Sequence, residues 1–340
     1  MRRYLHIIAF MLLAVLPVAC DVHELPGGET DIAVSLHLKF DTDLPQYTTV
    51  DFTKAGSGVS DWRVRYIVRL YKYASETYSR TPAYTFTFFS EDTGELDRTL
   101  YLKAEAANYR VAVWTDFVKA GTEEGFFYNA DDFSEVRLSG TYYGQDEHRD
   151  CFYGSNELEM ATLLTYDASY EATVELGRPL ARFNFISTDR EKFIDYWIQQ
   201  VAIRNGSFVK MDRGSLDLNK FHVRWVYPQF LPNTFNLHND RPVDSATGVS
   251  FDAEMSVRED GNVDLGFDWM FVNPKGTESK VIVSLEIYDQ DGTYVSTVSN
   301  IEVPLMRSQQ TTVIGNILTS GINNGVSIDP TYDGEFNVMI

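Results

Sequence analysis

Apolar and polar side chains alternate along most of this chain. In Val34-Ser-Leu36-His-Leu38-Lys-Phe40 every second residue is apolar, the period of a strand that buries one face. The same period returns in Val64–Leu70, Tyr109–Val113, Phe221–Tyr227 and Val281–Ile287. Between such runs, Glu91-Asp-Thr-Gly94, Glu259-Asp-Gly-Asn262 and Asp289-Gln-Asp-Gly292 supply the glycine and Asx residues that short hairpin loops need. The pattern predicts an all-β protein of antiparallel sheets packed as sandwiches. Helical period is scarce. Thr188 and Glu191 form a capping box ahead of Phe193, Ile194, Trp197 and Ile198, which predicts one short helix. Register changes across Val174-Glu-Leu-Gly-Arg-Pro179, and Ala181-Arg-Phe183-Asn-Phe185 opens a new strand. A boundary is therefore expected near residue 176, with one sandwich over 32–175 and another over 176–340. No fixed-period repeat is visible, though two β-rich halves of similar length are compatible with a distant duplication.

The first 31 residues follow a different rule. Met1-Arg2-Arg3 is a short cationic start, and Ile7–Val15 is a continuous apolar run too short to span a bilayer. Residues 1–19 therefore read as a secretory signal. Leu16-Pro17-Val18-Ala19-Cys20 resembles a bacterial lipobox, in which the cysteine is acylated and becomes the new N-terminus; Pro17 stands where Leu is most usual. Each acyl chain contributes ~0.8 kcal/mol per buried methylene, so two or more anchor stably. Residues 20–31 include Pro26, Gly27 and Gly28 and read as a flexible tether.

Charge and cysteine content narrow the picture further. The chain has 29 basic and 49 acidic side chains; loss of Arg2 and Arg3 with the signal leaves 27 against 49, a formal charge of −22. That balance disfavours nucleic acid and anionic lipid headgroups as partners. With Cys20 acylated, Cys151 has no partner in the chain and the fold cannot rest on a disulfide. The 22 Phe, 20 Tyr and 5 Trp supply the core instead.

Reactive chemistry finds little support. His148 and Cys151 have no second cysteine or histidine nearby, so they lack the three or four convergent ligands of a metal site, and no Cys-His nucleophile is assigned. Asp289-Gln-Asp-Gly292 opens like a calcium loop, but Val-Ser-Asn stands where its later ligands should be; a hairpin turn is expected. The acid pairs Asp131-Asp132 and Glu123-Glu124 have the residue types of a glycosidase, yet in so acidic a chain they fit solvated loops. No nucleophile elbow, phosphate loop or dinucleotide fingerprint is present. No cofactor, metal or catalytic residue is predicted. Tyr142-Tyr143 and Phe126-Phe127-Tyr128 are candidate sugar platforms, weighed against ordinary packing at hairpin ends.

Three segments carry a family resemblance: Arg149-Asp-Cys-Phe-Tyr-Gly-Ser-Asn-Glu-Leu158, Leu176-Gly-Arg-Pro-Leu-Ala-Arg-Phe-Asn-Phe185, and the stretch from Val303 to Gly321 with the residues after it. With the lipobox, they resemble the fimbrillin-like lipoproteins of Bacteroidetes, the subunits of type V pili. The resemblance implies two tandem transthyretin-like β-sandwiches, an outer-membrane lipid anchor at Cys20, and other fimbrial subunits as partners joined by strand addition. A sheet edge with unpaired backbone beside an apolar groove is satisfied by an extended segment of a neighbour. The terminal Gly334-Glu-Phe336-Asn-Val338-Met-Ile340 offers Phe336, Val338 and Ile340 on one face as a donor, or forms a final strand within its own half. Stalk subunits of this family are cut at a basic residue after the first strand. Residues 41–61 contain no arginine and only Lys54, which favours an anchor or accessory subunit; a lysine-directed cut at Lys54 would restore a stalk role. The alternatives are a surface glycan-binding lipoprotein of a polysaccharide-uptake system and, last, a surface hydrolase.

Overall fold

The computed structural model describes residues 31–44, 61–163, 169–206, 213, 216–323 and 337–339. Its first half runs through β1 (Asp31–Phe40), β2 (Trp62–Ala74), β3 (Thr77–Tyr78), β4 (Tyr84–Ser90), β5 (Arg98–Glu105), β6 (Asn108–Lys119), β7 (Tyr128–Asn129), β8 (Val136–Leu138), β9 (Phe152–Glu159) and β10 (Ser169–Leu176). The second half opens with β11 (Leu180–Ser187) and helix α1 (Arg190–Arg204), then β12 (His222–Tyr227), β13 (Leu231–Asn236), β14 (Arg241–Ala246) and β15 (Val249–Glu254). It continues with β16 (Ser256–Val257), β17 (Val263–Phe271), β18 (Ser279–Tyr288), β19 (Tyr294–Leu305), β20 (Gln310–Gly315), helix α2 (Ile317–Asn323) and β21 (Asn337–Met339). The chain is all-β, as its alternation requires, and the alternating runs Val34–Phe40, Val64–Leu70, Tyr109–Val113 and Val281–Ile287 fall in strands, with Phe221 standing just before β12.

The two halves share one topology. In the first, the sheet β10-β1-β5 faces the sheet β9-β6-β2-β4; in the second, β20-β11-β17 faces β19-β18-β12-β15. In both, the opening strand is central, parallel to the half's last long strand and antiparallel to its other neighbour: β1 pairs Val34 with Tyr170 and Leu102, and β11 pairs Phe183 with Thr311 and Asp268. Seven strands correspond in order and direction, so the duplication lies in the topology and not in any repeat of side chains.

Each half has its own apolar core. Val34, Leu36, Val68, Leu102 and Val111 are fully buried in the first, and Phe183, Phe185, Trp225, Val283 and Leu285 in the second. At ~1.5–3 kcal/mol per buried side chain, these faces supply the main driving force for folding. The first sandwich is closed along one side, where Tyr153 of β9 and Gly177 exchange two backbone hydrogen bonds of 3.0 and 2.9 Å. Gly154 allows that approach, because a Cβ there would overlap the carbonyl oxygen of Glu175.

Among the described residues, both α-helices lie in the second half. Phe193, Ile194 and Trp197 of α1 are buried at the spacing read from sequence. The helix runs to Arg204, and the Thr188–Glu191 box does not form. Asp189 stands at the N-cap without a side-chain cap bond, because its carboxylate accepts the Thr319 backbone N–H at 2.8 Å and the hydroxyls of Ser187 and Thr319. Helix α2 was not expected: seven residues are too few to show a helical period.

Candidate functional site

Each half carries an extra pair of strands, inserted at different points of the common order: β7 and β8 follow β6, and β13 and β14 follow β12. These strands combine into one four-stranded sheet, β14-β13-β8-β7, in which Thr234 and Phe235 pair with Arg137 and Val136. Behind it lies a third core that includes Trp114, Phe133, Phe235, Trp269 and Phe271. The two sandwiches are thus joined by shared sheet and shared core.

Three arginines fasten this junction. Arg149, 2% exposed, reaches from the turn before β9 to Asp268 of β17, which is fully buried, and also donates to the Trp269 carbonyl at 3.0 Å. Asp268 accepts further from the Tyr142 hydroxyl at 2.6 Å, the Trp269 N–H at 2.8 Å and the Tyr227 hydroxyl. Burial pushes the Asp268 carboxyl up, with Arg149 and both tyrosine hydroxyls pulling it back. Burial disfavours the Arg149 cation, but Asp268 together with Tyr142 and Tyr128 outweighs it and holds the guanidinium above its ordinary value. The Tyr142 ring packs 4.4 Å from that guanidinium, and burial raises the hydroxyls of Tyr142 and Tyr227.

Arg178, in the connection between the halves, grips Asp150 through Nε at 2.6 Å and Nη2 at 2.8 Å, the bidentate geometry suited to a carboxylate. It also reaches the carbonyls of Thr42 and Asp43 at 3.3 Å. Arg307, between β19 and β20, donates to the Tyr153 hydroxyl at 2.8 Å, to Asp240 and to the carbonyls of Val272 and Asn273. Asp268, Asp150 and Asp240 are each occupied by an arginine, so the arrangement holds the two sandwiches together.

The junction also contains the residues weighed for chemistry. Cys151 is fully buried, and burial pushes its thiol well above the ordinary value. His148 stacks on Trp62 at 4.5 Å and bonds Asp146 at 2.9 Å. Among the described residues no cluster of three His, Cys, Asp or Glu could hold a metal. Asp131-Asp132 and Glu123-Glu124 are exposed loop residues, and Asp132, accepting from Ser134, is held below its usual value. Asp289 accepts from the N–H groups of Asp291 and Thr293, turning β18 into β19. The two aromatic platforms meet: Tyr143, 48% exposed, stacks on Phe126 at 5.5 Å, while Phe127, Tyr128 and Tyr142 are committed to the junction.

The remaining sequence-predicted residues lie at the chain's ends. Cys20, Lys54, Phe336 and Ile340 are outside the described residues. Val338 lies in β21, which adds in parallel to β20 through the pairs Thr312–Asn337, Val313–Val338 and Ile314–Met339. The buried arginines were missed as a joint, although Arg149, Arg178 and Arg307 each fall in one of the three segments that carry the family resemblance. Asp268 was legible in principle: a lone acid inside the apolar run Leu265–Phe271 demands a buried partner.

No curated protein matches the chain in sequence. Among solved structures, the fimbrial anchor protein Mfa2 of Porphyromonas gingivalis is 9% identical, with a TM-score of 0.35 over 78% of this chain and 82% of that one. A fimbrial assembly protein of Parabacteroides distasonis is 11% identical, at 0.31 over 84% and 90%. A candidate polysaccharide-binding protein of Bacteroides thetaiotaomicron is 13% identical, at 0.40 over 79% and 80%. Likenesses this distant carry no argument about what this chain does. Residues 29–340 match the model of a family of unknown function, DUF6562, and the chain belongs to that family.

Proposed function

We propose that this chain is a non-catalytic, cell-surface subunit of a fimbria, held in the outer membrane through acylated Cys20 and joined to neighbouring subunits by strand addition. The observation that carries the reading is the terminal strand. Among the described residues Asn337–Met339 adds to its own half by three pairs at the margin of the sheet, and it belongs to a segment whose Phe336, Val338 and Ile340 alternate as a donor strand requires. Two further features support it. The signal, lipobox and tether at residues 1–31 suit a tethered protein, and a double sandwich fastened by Arg–Asp pairs suits a part that transmits load rather than one that opens around a substrate. The absence of arginine from residues 41–61 favours an anchoring or accessory subunit that keeps its first strand; Lys54 is the processing site a stalk subunit would use. The test is removal of residues 334–340 from the chain in its own cell. The truncated protein is expected to stay membrane-bound and to lose the subunits that co-isolate with the intact chain; undiminished co-isolation would refute strand donation.

A second reading, surface glycan binding, has one observation in its favour, the exposed Tyr143 stacked on Phe126. It requires that the purified protein retain an oligosaccharide and that Tyr143→Ala abolish retention.

A further inference from the structure

We propose that the hairpin joining β2 to β3, with the end of the first sandwich around it, rests on the headgroup layer of a zwitterionic phospholipid bilayer, a second membrane contact beside the acylated cysteine. The inference rests on the anchoring part of the reading above and adds to it the surface that faces the membrane.

Position is the first argument. The first sandwich begins at Asp31, which pairs with Glu105 of β5. Glu105 in turn bonds Lys72 of β2 across the sandwich, Nζ to Oε2, at 2.9 Å, so Lys72 marks the level at which the tether enters the fold. The hairpin runs past that level. Tyr73 pairs with Tyr78 and Ala74 with Thr77 around a two-residue turn, whose Ser75 and Glu76 have φ of 52° and 66°, the left-handed pair that a tight hairpin needs. At ~3.3 Å per residue the turn projects ~10 Å beyond the point of entry. Residues 20–31 span at most about 40 Å even when fully extended, so an acylated Cys20 holds this end of the sandwich within that distance of the bilayer.

The side chains of the hairpin are those a membrane interface selects. Tyr73 is 43% exposed and packs edge to face on Tyr78 at 5.0 Å. A tyrosine joins an apolar ring to a polar tip, which suits the zone between water and hydrocarbon. The Arg110 guanidinium lies 4.2 Å above the Tyr78 ring, and Arg80 follows the hairpin in the chain. Among the described residues neither arginine forms an ion pair, although the chain holds 49 acidic and 29 basic side chains. Phosphate oxygens of the headgroups would engage both guanidinium groups as the Tyr73 ring settles among them. Glu76, Glu157 and Glu159 stand at the same end, so it has no net pull towards an anionic surface, and a zwitterionic one fits it.

The opposite end of the same sandwich has the contrary character. There the turn between β4 and β5 brings Glu91, Asp92, Glu95 and Asp97 beside Asp41 and Asp43, and the Phe40 N–H donates to Asp97 at 2.9 Å. Phosphate repels such a cluster of carboxylates. One end therefore excludes headgroups and the other accepts them, and the tether leaves from the accepting end. Contact there would set the orientation of the sandwich, with its acidic end turned away from the membrane.

The test uses the acylated full chain, recovered from its own cells and reconstituted in phosphatidylcholine vesicles that carry a nitroxide on the headgroup. A fluorophore is attached at Thr77→Cys in the hairpin or, for comparison, at Glu95→Cys at the opposite end; the acyl chains block Cys20, and Cys151 is buried. The expected result is quenching at least about threefold stronger at 77 than at 95. Tyr73→Ala combined with Arg110→Ala should bring the two labels to the same level while the protein still sediments with the vesicles. Should the double variant fail to fold, the two labels in the otherwise unaltered chain decide alone. Equal quenching at the two positions, or quenching at 77 that the double variant leaves unchanged, would overturn the membrane contact and leave the hairpin to a protein neighbour or to solvent. A chain that stays in solution when the vesicles sediment fails differently: it removes the anchor, and this contact with it, before any quenching is read.

Discussion

Replacing Arg149 by methionine keeps much of the volume of the side chain and removes its charge, leaving Asp268 buried with two tyrosine hydroxyls and one N–H as its only donors. Breaking a buried pair by removing one partner costs about 3–5 kcal/mol, because the other charge is stranded in a low dielectric. A domain's net stability is only about 5–15 kcal/mol, so the effect is large. The pH dependence is the sharper expectation. Burial already raises the Asp268 carboxyl in the intact protein, and loss of Arg149 raises it further. A carboxyl whose folded value exceeds its unfolded value contributes stability that is complete below the unfolded value and is lost as pH rises through the folded one. The deficit of Arg149→Met relative to wild type should therefore be greatest near neutral pH and shrink as pH falls towards about 4. Adding Asp268→Asn should recover part of the deficit at neutral pH, since an amide can accept the same hydroxyls without a charge. Urea unfolding followed by tryptophan fluorescence reports on this directly, with Trp114 and Trp269 buried in the junction. A deficit below about 1 kcal/mol at pH 7, or one that is the same at pH 5 and pH 8, would refute the reasoning.

Two other outcomes follow from local geometry. Gly154→Ala should destabilise the first half by at least about 1–3 kcal/mol in the same assay, because the new Cβ overlaps the Glu175 carbonyl where β9 meets β10; a neutral result would mean that the closed corner is not rigid. Cys151 should resist alkylation in the native protein at pH 8 and react fully in denaturant, since burial both blocks the thiol and disfavours the thiolate; rapid native labelling would contradict its placement.

The strands were legible because each half-buried face imposes a period of two over five or more residues, as in Val34–Phe40 and Val281–Ile287. The duplication was legible only as two halves of similar length. Topology repeats in pairing order and direction, while the side chains that fill equivalent places differ: Phe86 of β4 pairs with Val68 where Phe251 of β15 pairs with Trp225. The junction was the least visible part. Arg149 and Asp268 are 119 residues apart, and no local period encodes a contact of that range. What the sequence did hold was the anomaly of charge within apolar runs, at Asp268 and in the three segments that bear the junction arginines. The candidate donor was visible as alternation in Phe336, Val338 and Ile340, yet alternation alone cannot say whose sheet a terminal strand completes.

The most direct measurement is the identity of the N-terminal peptide of the protein recovered from its own cells. A tethered subunit that keeps its first strand predicts a peptide beginning at Cys20, with acyl chains on the cysteine, in the outer-membrane fraction. A peptide beginning after Lys54, or an unacylated start in a soluble fraction, would contradict the anchoring role.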